Sequence, residues 1–125
     1  VLKSFHVESG TNMVPKATVE LEIDGKPVTH SGTGDGPVDA VYRTIAAMTK
    51  TKSKLLMFGV NAITGGTDAQ GEVSVRLEEA GRTVSGHGAD TDIITAAARA
   101  YLNALNKLAY FAVKQAEGIQ KVSLI

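Results

Sequence analysis

One short pattern occurs twice in these 125 residues and narrows the available folds more than any other feature. Ser31-Gly32-Thr33-Gly34-Asp35-Gly36-Pro37 closes one run with strand character, and Ser85-Gly86-His87-Gly88-Ala89-Asp90 closes another; Gly32 and Gly86 are 54 positions apart (86 − 32). An alanine-rich amphipathic stretch follows each copy. A duplicated strand, glycine turn and helix imply two pseudo-symmetric halves. The first N–H groups of each helix have no partner inside it and are available to an anion. A chain of this length holds one compact domain with a core, so the two halves must share it.

The runs before each glycine turn read as strands. Ala17, Val19, Leu21 and Ile23 alternate with Thr18, Glu20 and Glu22, the pattern of a half-buried strand over Ala17–Ile23. A strand is expected before it at Leu2–Ser9, and Asp24-Gly25 turns the chain into a third at Pro27–Gly32. Pro37 then opens a helix, with Val38, Val41, Tyr42, Ile45 and Met48 on one face. The second half repeats the plan: strands at Lys54–Ala62, Gly71–Leu77 and Arg82–Gly86, with Ala80-Gly81 as the hairpin turn. The first of these is unusually apolar through Leu55-Leu56-Met57-Phe58.

A longer helix follows, from Thr91 or Asp92 to about Gln115. Ile93, Ala97, Tyr101, Ala104, Leu105, Leu108 and Ala112 form its stripe, broadened by Ile94, Ala98, Leu102 and Phe111. So wide a stripe needs a partner beyond one sheet, either the first helix or another subunit. Gly118 is read as its terminator. The expected fold is therefore α+β: two βββα units, antiparallel sheets packed with helices, in a dimer. Repeat 1 is expected at about 2–50, repeat 2 at about 53–116, and a tail at 119–125. The opening Val-Leu-Lys, running straight into strand pattern, suggests a piece cut from a longer polypeptide.

Composition excludes several functions. Thirteen basic and thirteen acidic residues cancel, and no basic cluster is interleaved with aromatics, so neither nucleic acid nor another polyanion is an expected partner. No stretch approaches 18 apolar residues, so no membrane partner is expected and the chain reads as soluble and cytoplasmic. Cysteine is absent, and His6, His30 and His87 form no zinc-binding spacing; no metal or other cofactor is expected. Ser9, Ser31 and Ser85 lack a nucleophile elbow and an ordered base, so no catalytic residue is expected either. Neither glycine turn is a nucleotide loop. A small carboxylate held at a helix N-terminus remains open, beside the alternative that the glycines merely allow a tight turn. Asp90 or Asp92 is the expected cap of the second helix. Asp68, in the long polar segment Asn61–Gly71, has no evident capping role and is a candidate for a ligand ammonium.

The same residues carry a family resemblance. Ser31 to Tyr42 (SGTGDGPVDAVY), Gly86 to Ile94 (GHGADTDII) and Ala100 to Asn106 (AYLNALN), with Asp68-Ala69 and Gly71 between them, resemble the C-terminal regulatory domain of 2-isopropylmalate synthase over about Leu2 to Leu108. Citramalate synthase carries a similar domain, and the pattern does not separate the two.

The resemblance implies a homodimer of duplicated βββα units that binds L-leucine, or L-isoleucine in the second enzyme, near the dimer interface. It implies that Gly32, Gly34, Gly36, Pro37 and Ala40 shape the ligand wall, that Asn61, Ala62, Asp68 and Ala69 face it, and that Gly86, Gly88 and Asp92 belong to the second turn. N–H groups near Gly36 to Val38 would take the carboxylate, an acidic or carbonyl group the ammonium, and Val38, Val41 and Ile63 the branched side chain. The family's catalytic TIM barrel, with its divalent metal and acetyl-CoA sites, would lie elsewhere in the parent polypeptide. A dimerisation module without a ligand is the reading from a different class.

Overall fold

The computed structural model describes the backbone of residues 2–10, 13–63 and 70–123, and the side chains of residues 6–8, 13–61 and 70–112. Its elements run β1 (Leu2–Gly10), β2 (Met13–Ile23), β3 (Lys26–Thr33), α1 (Pro37–Thr49), β4 (Lys54–Ile63), β5 (Gln70–Glu79), β6 (Arg82–Asp90) and α2 (Ile93–Ser123). Two antiparallel sheets result, in the orders β1-β2-β3 and β4-β5-β6. The two βββα units expected from the repeated pattern are present.

Alternation decides which face of each sheet is covered. Ala17, Val19 and Leu21 of β2 and Val73, Val75 and Leu77 of β5 are all buried, on the faces where α1 and α2 lie. Burying a side chain such as Leu21 or Leu77 contributes about 1.5–3 kcal/mol. Both hairpins are two-residue turns with positive φ at both positions: Asp24 and Gly25 at 52° and 77°, Ala80 and Gly81 at 52° and 79°. Turns of this kind match the right-handed twist of the strands they join.

The repeats differ in hairpin length. Counting from the turn, Ala17↔Gly32 is the seventh pair of the first hairpin, whereas Val75↔Gly86 is the fifth pair of the second. Two residues are one full side-chain period, so the longer hairpin keeps its apolar face inward.

The helices meet each other as well as their sheets. Tyr42 of α1 stacks on Tyr101 of α2 with ring centroids 4.5 Å apart and donates its hydroxyl hydrogen to the Ala97 carbonyl at 2.8 Å. The broad apolar stripe of α2 thus has α1 as its second partner within the chain.

Four elements run two or more residues beyond the sequence reading at one end. β2 begins at Met13 rather than Ala17, and β5 spans Gln70–Glu79 rather than Gly71–Leu77. β6 continues through Gly86 and Gly88 to Asp90, so the second glycine segment is strand, not turn. α2 continues past Gly118 to Ser123, through most of the expected tail. A lone glycine costs a helix about 1 kcal/mol relative to alanine and does not by itself stop it.

Candidate functional site

The duplicated glycines lie where helix and strand come closest. A methyl group on Gly34 would lie 2.5 Å from the Ala40 nitrogen and 2.6 Å from Asp39 Oδ2; on Gly32 it would lie 2.7 Å from Thr44 Oγ1. On Gly86 it would collide with the Ala100 carbonyl and lie 2.7 Å from Ala104 Cβ; on Gly88 it would collide with the Ala96 carbonyl. These four glycines let α1 rest on β3 and α2 on β6. None of the four has a positive φ, so the requirement is for space and not for an unusual backbone angle. Gly36 differs: a side chain there would meet nothing within 4 Å, and its φ of −157° is extended backbone.

The two helix starts are built differently. At α2, Asp92 Oδ1 accepts the Ile94 N–H at 3.3 Å, and its Oδ2 accepts the Thr95 N–H at 3.3 Å and the Thr95 hydroxyl at 2.7 Å. Asp90 accepts the Asp92 N–H at 3.0 Å and lies 3.7 Å from Arg99. This end is capped from within, as an aspartate at that position should arrange.

At α1 the N-cap is Gly36, which has no side chain to accept a bond, and Pro37 follows. Asp39 Oδ2 turns back to accept the Asp35 N–H at 2.8 Å and the Arg43 Nε hydrogen at 2.9 Å, with Arg43 Nη2 3.7 Å from Asp35. The first turn of α1 thus keeps N–H groups without a side-chain cap, at the positive end of the helix.

The expected site residues that the structure describes fall in both repeats. Gly32, Gly34, Gly36, Pro37 and Val38 follow one another from the end of β3 into α1, with Val38 packed at the margin of the core. Ala40 and Val41 are buried, in contact with the core rather than with an open surface. Asn61 is exposed on β4; Ala62 and Ile63 end that strand, their side chains lying outside the described residues. Asp68 and Ala69 lie wholly outside the described residues. Gly86, Gly88 and Asp92 belong to the other repeat, the glycines beneath α2 and Asp92 at its cap.

Two features escaped the sequence reading. Phe58 of β4 reaches the edge of the Tyr42 ring, with centroids 6.0 Å apart, so three elements converge on one tyrosine. Burial raises the phenol of Tyr42, with the neighbouring Tyr101 adding to it; burial also raises Tyr101, against a hydrogen bond from Ser53 that lowers it. The second feature is Ser74 Oγ, 3.0 Å from His87 Nδ1 on an exposed face of the second sheet. His87 is exposed and Ser74 half-buried, paired on neighbouring strands, and no spacing in the sequence connects them. An open groove of about 570 Å³ lies between Lys52, the β5–β6 turn and Leu108 of α2, and none of the expected site residues lines it. Among the described residues no group of three or more His, Asp or Glu side chains is placed to hold a metal ion, and no helix is long and apolar enough to cross a membrane.

The family model described as the LeuA allosteric (dimerisation) domain matches residues 1–109. A 2-isopropylmalate synthase of Nitrosomonas europaea is 53% identical over 107 residues, 86% of this chain and 21% of that protein. One of Syntrophus aciditrophicus is 53% identical over 106 residues, 85% of the chain and 20% of the protein. One of Heliobacterium modesticaldum is 47% identical over 116 residues, 93% and 23% respectively. The chain thus spans about a fifth of the length of the curated relatives it matches. With two βββα units in place and a family model covering residues 1–109, the chain belongs to the LeuA allosteric (dimerisation) domain family.

Proposed function

We propose that this chain is the leucine-sensing part of a 2-isopropylmalate synthase: a homodimeric, cytoplasmic regulatory domain that binds L-leucine and restrains a catalytic TIM barrel elsewhere in the polypeptide. The barrel, with its own divalent metal, would join acetyl-CoA to 2-oxoisovalerate. The observation that carries the binding reading is the difference between the two helix starts. Asp92 occupies the N-terminus of α2, whereas α1 begins at Gly36 with no side-chain cap. An amino-acid carboxylate accepting the N–H groups that follow Pro37 would complete α1 as Asp92 completes α2.

The surroundings suit the rest of the ligand. Asp35 is exposed beside this helix start and offers a carboxylate to an ammonium. Phe58 of β4 meets Tyr42 of α1, and Asn61, Ala62 and Ile63, farther along that strand, are the residues we assign to the facing wall of the ligand site. Gly34 and Gly36 then have separate roles: Gly34 brings α1 onto its sheet, and Gly36 leaves room for the ligand.

Feedback in this reading is a coupling free energy between two sites, so the barrel's substrates must affect leucine affinity as leucine affects theirs. Parallel calorimetric titrations with L-leucine, L-isoleucine and L-valine test the assignment. Leucine is expected to bind most tightly. Tightest binding of isoleucine would move the parent to citramalate synthase, since relocating one methyl is worth only about 1–3 kcal/mol in an apolar pocket. No heat with any of the three and an unchanged melting temperature would leave a dimerisation module.

A further inference from the structure

We propose that the open groove beside the β5–β6 turn is a second ligand site, separate from the start of α1, and that it takes a small aliphatic monocarboxylate. Glu79 and Arg82 are the last pair before that turn. Side chains two residues apart on a strand share a face, so both continue the rows of Leu77 and Val84 on the side that α2 covers. The first repeat has Ile23 and Lys26 at the equivalent pair, with Ile23 packed against the core. Glu79 thus puts a half-buried carboxylate where the other hairpin has an aliphatic chain.

Opposite charges directly across a strand pair ordinarily attract. Arg82 instead lays its guanidinium over the Phe111 ring, 4.6 Å from the centroid. Held there, it keeps N–H donors for a carboxylate, which accepts two parallel bonds from a guanidinium. Lys52, exposed in the connection from α1 to β4, lines the same cavity of about 570 Å³. Among the described residues no ion pair joins Glu79, Arg82 or Lys52 to any partner. Two cations and one carboxylate leave this cavity with a single positive charge in excess, which one anion matches.

The apolar part of the ligand has its own surface. Leu108 and Ala112 line this cavity and also a second one of about 310 Å³, which continues along α2 past Ala109 and Leu105 to Thr49 and Lys50. Two turns of helix separate Leu105 from Ala112, roughly 10 Å along the axis, room for a chain of about eight carbons. A carboxylate at Arg82 and Lys52 therefore lays its chain on Leu108 and Leu105. Glu79 lines both cavities, and its charge repels a second carboxylate, which restricts the ligand to one.

The test follows the amide NMR spectrum of the chain during titration with octanoate, with octanamide and acetate as controls for charge and for chain. Octanoate is expected to give saturable shifts at Lys52, Arg82, Leu108 and Ala112, and each control to bind about tenfold more weakly or worse. Arg82→Gln is expected to weaken octanoate binding about tenfold and Lys52→Gln several-fold, whereas Glu79→Gln strengthens it several-fold by removing the repulsion. Gly36→Asp, which alters only the start of α1, is expected to leave octanoate binding unchanged, so failure of this site and failure of the leucine reading are told apart. Should Arg82→Gln fail to fold, Lys52→Gln decides, since Lys52 is exposed and makes no ion pair. Equal binding of octanamide, unchanged affinity in the folded Arg82→Gln and Lys52→Gln chains, shifts confined to the exposed apolar run of β4, or no saturable shift at all overturns the site.

Discussion

A hydrogen atom in place of a methyl group sets how closely α2 can lie on β6. Gly86 faces the Ala100 carbonyl and the Ala104 side chain without room for a Cβ, and α2 answers with alanines where a larger residue would hold it off. Gly86→Ala is therefore expected to lower unfolding stability by about 1–3 kcal/mol, the usual cost of overpacking, read from the urea midpoint. Gly36 sits at the opposite extreme, since a side chain there meets nothing. Gly36→Asp supplies the N-cap carboxylate that α1 lacks and is expected to raise stability by a few tenths of a kcal/mol. The sequence displayed these glycines as a repeated motif but not their reasons. Spacing records that a strand is followed by a helix; it does not record how close the backbones come. A Gly34→Asp variant would press on Ala40 and Asp39 and so test packing rather than ligand binding.

At the scale of elements, alternation and turn chemistry were legible because each acts within a few residues. β2, both hairpins and the start of α1 at Pro37 follow from local rules. The extension of β6 through Gly86 and Gly88 was hidden, because glycine usually signals a turn and here serves close packing within a strand. The two hairpins also contain an internal comparison. Asp24 and Ala80 occupy the same left-handed turn position, at φ 52° in both cases, but alanine is poorly suited to it. Ala80→Asn is expected to stabilise the chain by about 0.5–1 kcal/mol. Thermal unfolding checks this, with Asp24→Ala expected to move the melting temperature the other way. The apolar run of β4 was visible from the start, but its position at a sheet edge depended on strand order, which no local pattern specifies.

At the scale of the whole molecule, one aromatic contact ties the repeats together. Tyr42 touches Tyr101, the Ala97 carbonyl and Phe58, linking α1 to α2 and β4. Tyr42 and Tyr101 are each 7% exposed or less, and both phenols are raised above their ordinary value of 10.0, chiefly by burial. The sign follows from proton counts: above about pH 10 the unfolded chain gives up phenolic protons that the folded chain keeps, so the slope of unfolding free energy against pH is negative. Stability is expected to be intact below that pH and to fall as pH rises toward the folded-state values. Urea midpoints between pH 8 and 11 measure the fall, and Tyr42→Phe is expected to make it shallower. The duplicated βββα plan was readable from the repeated motif, whereas this joint was not, because it unites residues 55 to 59 positions apart through tertiary packing.

The proposed leucine site rests on the start of α1 being left for a ligand's carboxylate. The most direct measurement is calorimetric titration of L-leucine into wild type and Gly36→Asp side by side, with both melting temperatures recorded. Wild type is expected to bind, while the variant, folded and no less stable, loses binding because its own carboxylate occupies the helix N-terminus. Unchanged leucine affinity in a folded Gly36→Asp chain would contradict the account.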